Sequence, residues 1–265
     1  MSFRPVLSVD VAAFCHQGRV RANNEDLIAL DAWVQAEPMF VPVTAQFNLD
    51  RPLLFAVADG MGGHEAGEVA SALAIRLVVQ ERARLRDNDA VADVINEAHQ
   101  AILAHATAEP PTAGMGTTIV GLQLRPDGLT WFNVGDSRLY RLRDGYLRQL
   151  SVDDVPAFER EQALSENRPA RVLSACLGGR QPAERLQPHG ATESLPEEGC
   201  WLLCSDGLSD VLDVETIEAD LKSSVADDLL RTVLRLFDKA MRSGGPDNIS
   251  IVLVRVSRLR MEKRS

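Results

Sequence analysis

Residues 53–71 read LLFAVADGMGGHEAGEVAS. The apolar run Leu53–Ala58 stops at Asp59-Gly60, the pattern of a buried strand that feeds a tight turn. A helical period then begins. Val69, Leu73 and Leu77, with neighbouring alanines, share one face of a helix predicted over Ala66–Leu85. A second helix is predicted from Asp89 to Ala106, where Val91, Val94, Ile95, Ala98 and Ile102 keep the same spacing until the segment PPTAGMG breaks it.

Outward from this unit the period changes. Thr117–Leu124, Thr130–Val134, Arg138–Leu142 and Tyr146–Leu150 are short and rich in β-branched, aromatic and leucine residues. Pro126-Asp127-Gly128 and Asp144-Gly145 lie between them as hairpin turns. Cys200–Cys204 and Ile249–Val256 read as further strands, and Asp227–Met241 as a helix with Leu230, Val233, Phe237 and Met241 in period. This order predicts an α+β fold with antiparallel sheet. One domain is expected over 1–257, with a short charged tail at 258–265. Asp31–Pro52, with Pro38, Pro42 and Pro52, reads as a loop or ragged hairpin. Ser151–Arg171 is polar, with room for one short helix.

Composition narrows the class of function. The chain has 265 residues, 45% hydrophobic and 25% charged, with a net charge of −10. That argues against nucleic acid as a partner, which calls for a basic stripe. No apolar run approaches the ~20 residues of a membrane span, and the N-terminus lacks a small-residue cleavage site. A cytoplasmic protein that does not enter a membrane is the expectation. Four scattered cysteines, Cys15, Cys176, Cys200 and Cys204, form no C-x-x-C pair and read as buried reduced thiols.

The chemistry lies in where the acids fall. Asp59 follows LLFAVA, Asp136 follows WFNVG, Asp206 follows WLLCS, Asp247 precedes ISIVLV, and Glu25-Asp26 open Leu27–Leu30. Carboxylates at the ends of several hydrophobic strands are what converging loops need to hold a hard cation such as Mg²⁺ or Mn²⁺. An Asp-Gly pair alone is usually just a turn, so the multi-carboxylate site and a set of ordinary turns both stay open at this level. No Walker loop, GxSxG elbow or HExxH occurs.

The order of motifs goes further. RANNED (21–26), FAVADGMGGHEAGEVAS, GMGTT, FNVGDSRLYRL, LLCSDGLSDVL and GGPDNISIVLV follow one another from about Gly18 to Val256. Together they resemble the metal-dependent serine/threonine protein phosphatases of the PP2C (PPM) family, in their compact bacterial form. The resemblance implies an αββα sandwich of two antiparallel sheets flanked by helices. It also implies hydrolysis of phosphoserine and phosphothreonine in a protein substrate by attack of a metal-activated water. In the family, the aspartate matching Asp59 bridges two Mn²⁺ or Mg²⁺ ions and the carbonyl matching Gly60 joins one of them. The aspartates matching Asp206 and Asp247 complete the second ion, and Glu25 and Asp26 match acids that act through bound water. The match to Asp136, with that to Asp206, implies a third, weaker ion. Arg21 matches the arginine that grips the substrate phosphate.

The same resemblance implies a monomer that opposes a Ser/Thr kinase, with the kinase or its targets as partners. A family member that binds a phosphoprotein without hydrolysing it is the alternative. Loss of a metal aspartate or of the phosphate arginine would mark it, and all are present. Two departures stand out. Met61 replaces the histidine that serves eukaryotic members as proposed general acid, which leaves that role unassigned; His64 reads as structural or solvated. Ser151–Arg171 is shorter than the family's mobile flap. Poor discrimination among short phosphopeptides is therefore expected, with specificity supplied by docking through Asp31–Pro52.

Overall fold

The computed structural model describes residues 7–35, 38–62, 66–166, 172–179, 185–224 and 228–258. The first strand, β1 (Leu7–His16), buries Val9 and every residue from Val11 to Cys15. Then come β2 (Leu27–Leu30), β3 (Trp33–Val34), β4 (Val43–Asn48) and β5 (Leu53–Ala58), the last buried at every position. Asp59 ends β5, and β6 (Gly60–Met61) precedes α1 (Ala66–Gln80). Helical bonding ends at Gln80 rather than Leu85. Arg82–Arg84 tighten into a 3-10 turn, and Leu85 enters the core from beyond it. α2 (Asn88–Ala108) starts at Asp87, whose carboxylate accepts the Ala90 N–H at 2.9 Å and so caps a free helix donor.

The meander follows as β7 (Gly116–Thr117), β8 (Ile119–Arg125), β9 (Gly128–Val134), β10 (Arg138–Arg143) and β11 (Tyr146–Gln149). One short helix, α3 (Ala157–Glu166), lies in the polar segment where room for it was expected. After it come β12 (Leu177–Gly178), β13 (His189–Glu193), β14 (Gly199–Cys204), α4 (Asp206–Ser209), α5 (Val214–Ser224), α6 (Leu229–Arg242) and β15 (Ile249–Arg258). The predicted tail beyond Arg258 lies outside the described residues, as does His64.

Two six-stranded antiparallel sheets result, in the orders β11-β10-β14-β15-β1-β4 and β13-β9-β8-β5-β2-β3. Helices α1 and α2 cover the second sheet; α5 and α6 cover the first. The inner faces meet in one apolar core, where Phe47 and Phe55 approach at 6.2 Å between ring centroids. A second core lies under α1 and α2. This is the αββα sandwich. Asp31–Pro52 proves to be part of it, since β3 and β4 are edge strands of the two sheets. Prolines on either side and the half-buried alternation of VTAQFN conceal β4 in the sequence. A segment that supplies an edge strand to each sheet supports the fold.

The register sets the functional end. β1 pairs His16 with Ile249, β14 pairs Cys204 with Ile251, and β10 pairs Arg138 with Cys204. On the other sheet, Leu27 pairs with Ala58 and Ile119 with Val134. All the acid-bearing turns next to these residues therefore emerge at one end of the sandwich.

Candidate active site

Each acid is held by its neighbours in space. The Asp59 N–H donates to Thr118 Oγ1 at 3.1 Å, and its carbonyl accepts the Thr118 N–H at 2.9 Å and Thr117 Oγ1 at 2.8 Å. The threonine pair of GMGTT thus fixes the aspartate of β5. Asp26 is 3% exposed, and one carboxylate oxygen accepts both Ser205 Oγ and Ser250 Oγ at 2.7 Å. Asn248 straps three loops together: its Oδ1 accepts the Glu25 N–H at 2.8 Å, and its Nδ2 donates to the carbonyls of Gln17 and Asn23 at 2.9 Å. Arg21 Nη2 meets Asp247 Oδ2 at 2.5 Å.

These groups surround a cleft of about 500 Å³. Arg21, Glu25, Asp59, Gly60, Asp136, Asp206 and Asp247 all line it. Asp26 does not; it sits beneath, among the serines. Asp210, which the sequence reading missed, lines the wall four residues after Asp206. That spacing is one helical turn, the only hint of it in the sequence. Residues 151–156, SVDDVP, act as a clamp. Asp153 takes Arg138 Nη2 at 2.7 Å, and Asp154 Oδ2 accepts the Gly135 N–H at 2.8 Å, bracing the turn that carries Asp136.

So many acids in one buried place repel. Burial, ahead of repulsion from Asp26, Asp206 and Asp136, holds the Asp59 carboxyl well above the usual carboxylate range. Burial first, then neighbouring carboxylates, pushes Asp26, Asp136 and Asp210 up to about 7. Two buried oxygens, Asp26 Oδ1 and Asp206 Oδ1, have no hydrogen-bond partner. Among the described residues no three acid, histidine or cysteine side chains close around one point as a ready-made cage. A hard dication that keeps several waters asks only one or two carboxylates of the protein. Orphaned buried oxygens, an all-oxygen donor set and carboxyls held up by mutual repulsion fit such ions.

The pH consequence has a definite sign. Carboxyls raised from about 4 toward 7 make the folded, metal-free protein bind more protons than the unfolded chain between those values. Their contribution to stability is therefore full below about pH 4 and is lost as pH rises through 7. In chelator, the melting temperature should fall between pH 5.5 and pH 8. Mn²⁺ should restore it, and more so at pH 8. A melting temperature that rises across this window without metal would contradict the assignment.

Cys15, Cys200 and Cys204 are buried and outside any disulfide, as expected, while Cys176 is half-buried. Among the described residues no helix is long and apolar enough to cross a membrane.

Known proteins share this arrangement. The sequence pattern described as protein phosphatase 2C matches residues 43–248. The serine/threonine protein phosphatase PstP of Mycobacterium tuberculosis is 33% identical over 96% of this chain, which spans 46% of that relative's length. The serine/threonine phosphatase stp of Listeria monocytogenes is 34% identical, with 90% of this chain and 92% of that one covered. The crystal structure of the PstP catalytic domain with two manganese ions aligns with a TM-score of 0.73 at 32% identity, covering 95% of this chain and 99% of that one. With the family pattern spanning most of the sequence and the sandwich and its acidic end in place, the chain belongs to the protein phosphatase 2C family.

Proposed function

We propose that the chain is a metal-dependent protein phosphatase that hydrolyses phosphoserine and phosphothreonine, opposing a Ser/Thr kinase in the cytoplasm and acting as a monomer. The observation that carries this reading is the set of half-buried carboxyls Asp59, Asp206 and Asp247 lining one cleft together with Arg21. Asp59, the Gly60 carbonyl, Asp206 and Asp247 would hold two Mn²⁺ or Mg²⁺ ions, with Glu25 and Asp26 acting through water. Asp136 and Asp206 would hold a third, weaker ion. When bound, such ions lower the pKa of a shared water and neutralise charge on the transferring phosphoryl group.

The chain's own residues do the rest. Arg21, with its side chain 55% exposed and Nη2 held by Asp247, would offer its remaining N–H donors to phosphate oxygens. Asn248 and the Thr117-Thr118 pair hold the acidic loops in place before substrate arrives, so little reorganisation is needed during reaction. A binding-only role would require an acid or Arg21 to be missing, and none is.

Mn²⁺-dependent release of phosphate from phosphothreonine peptides, abolished by chelator, tests the reading; no release with either metal would end it. Within it, Arg21→Ala should raise KM for a phosphopeptide about tenfold or more, the scale of a lost charge-assisted pair, and leave metal binding intact. Asp136→Ala should keep the two tight sites, weaken the third and lower kcat. Equal loss of tight Mn²⁺ binding in both variants, by titration calorimetry, would contradict this division of labour.

A further inference from the structure

Beside the acidic cleft lies a second hollow of about 270 Å³, walled by Met61, Gly62, Ala113, Gly116, Cys176 and Gly179. Met61 and Gly62 line both spaces, so the hollow continues directly from the cleft. We propose that it is a substrate subsite, taking an uncharged aliphatic side chain within two residues of the phosphorylated serine or threonine. The proposal rests on the phosphatase reading above and names the residue that the enzyme prefers beside the phosphate.

Three observations define the occupant. First, among the described residues the lining is glycine, alanine and two sulfur-bearing side chains, with no charged group. Second, part of the backbone of the walls is already engaged. β6 pairs with β7 through Gly60–Thr117 and Met61–Gly116, and β7 pairs with β12 through Thr117–Leu177 and Gly116–Gly178. The Gly179 N–H also donates to the Met115 carbonyl at 2.7 Å. With these groups engaged and no charged side chain in the lining, apolar contact is the main interaction these walls offer. Third, two of the wall glycines leave no room for side chains of their own. A Cβ at Gly116 would stand 3.0 Å from the Leu177 carbonyl oxygen, and Gly179 holds φ +76° with Cys176 Sγ 2.8 Å from where its Cβ would be. Side chains at these positions are thus excluded by backbone geometry. Buried His99 accepts the Gly178 N–H on Nδ1 at 2.9 Å and pins the far wall to α2.

The volume corresponds to roughly nine waters at about 30 Å³ each, enough for a valine, leucine or isoleucine side chain. The short flap leads one to expect little discrimination among peptides; this hollow supplies discrimination from another wall.

A phosphothreonine peptide series with leucine, alanine or aspartate at each of the two positions on either side tests the proposal with the Mn²⁺-loaded protein. At one of these positions leucine should exceed aspartate in kcat/KM by about tenfold, the scale of a filled hydrophobic pocket. Ala113→Trp, at an exposed site on the rim, and Cys176→Phe, from the wall, should each remove that preference and leave hydrolysis of p-nitrophenyl phosphate unchanged. Equal turnover of all peptides by the wild type overturns the subsite alone. So does a loss of p-nitrophenyl phosphate hydrolysis as large as the loss on the leucine peptide. No Mn²⁺-dependent turnover of any substrate overturns the phosphatase reading, and the subsite with it. The wild-type series decides the matter even if a variant fails to fold.

Discussion

Asp59→Asn is expected to abolish hydrolysis and to cost more than ~100-fold in Mn²⁺ affinity, beyond the ~10–100-fold typical of losing a partner one step behind a metal ligand. The substitution is isosteric, so the Thr117-Thr118 clamp on the Asp59 backbone survives and no cavity opens. What changes is charge. Asp59 stands among Asp26, Asp136 and Asp206, and it is the group that would lie between both ions. With an amide there, two bound dications would have less negative charge to offset their repulsion. Without metal the effect should reverse, because one buried acid fewer relieves repulsion and removes a desolvation cost. The melting temperature in chelator at pH 8 should therefore stay level or rise while activity vanishes. Two wild-type-like Mn²⁺ sites by titration calorimetry would show that Asp59 is not the bridging ligand.

The contrast between gain without metal and loss with it separates a functional acid from a structural one. Asp31 is as buried as Asp26, yet it is paired with Arg51 at 2.7 Å and Arg82 at 3.6 Å. Removing Asp31 would strand two cations. Removing Asp59 strands none.

How much of this was legible in the sequence depends on range. β5, α1, α2, the meander and β15 declare themselves by period because each buries one face, or both, over enough residues to show. β1 escaped because Asp10 interrupts its apolar run at a position that the sheet leaves half-exposed. β13, HGATE, carries no apolar pattern since it lies on an edge, and α5 is polar enough to pass for loop. The acids of the site were legible because each directly follows or precedes an apolar run. Their supports were not. Ser205 and Ser250 reach Asp26 across 179 and 224 residues of sequence, and Asn248 reaches Glu25 across 223. Such contacts exist only after the two sheets have stacked.

Gly207→Ala should cost both fold and site. Gly207 follows Asp206 at the start of α4, and a Cβ there would lie 1.9 Å from the Asn248 carbonyl oxygen and 3.4 Å from Asp247 Cβ. The neighbour cannot retreat, because Asn248 is strapped to Gln17, Asn23 and Glu25 and its own N–H donates to Asp247 Oδ1 at 2.8 Å. The methyl must instead drive apart the loops that present Asp206 and Asp247. Overpacking of this kind costs ~3 kcal/mol, which for a chain of this size lowers the melting temperature by roughly 6–12 °C. The displacement falls between the two acids proposed to hold one ion, so the second tight Mn²⁺ site should weaken in the protein that does fold. Gly145→Ala provides the comparison. Its φ of +79° carries a backbone cost of about 1–2 kcal/mol, but only Lys222 Cε lies within reach, at 3.9 Å, and the hairpin is remote from the cleft. It should lower the melting temperature modestly and leave both Mn²⁺ sites and turnover untouched. If Gly207→Ala melts within 2 °C of wild type and titrates with two unaltered sites, the close approach of the two loops is not what positions the metals.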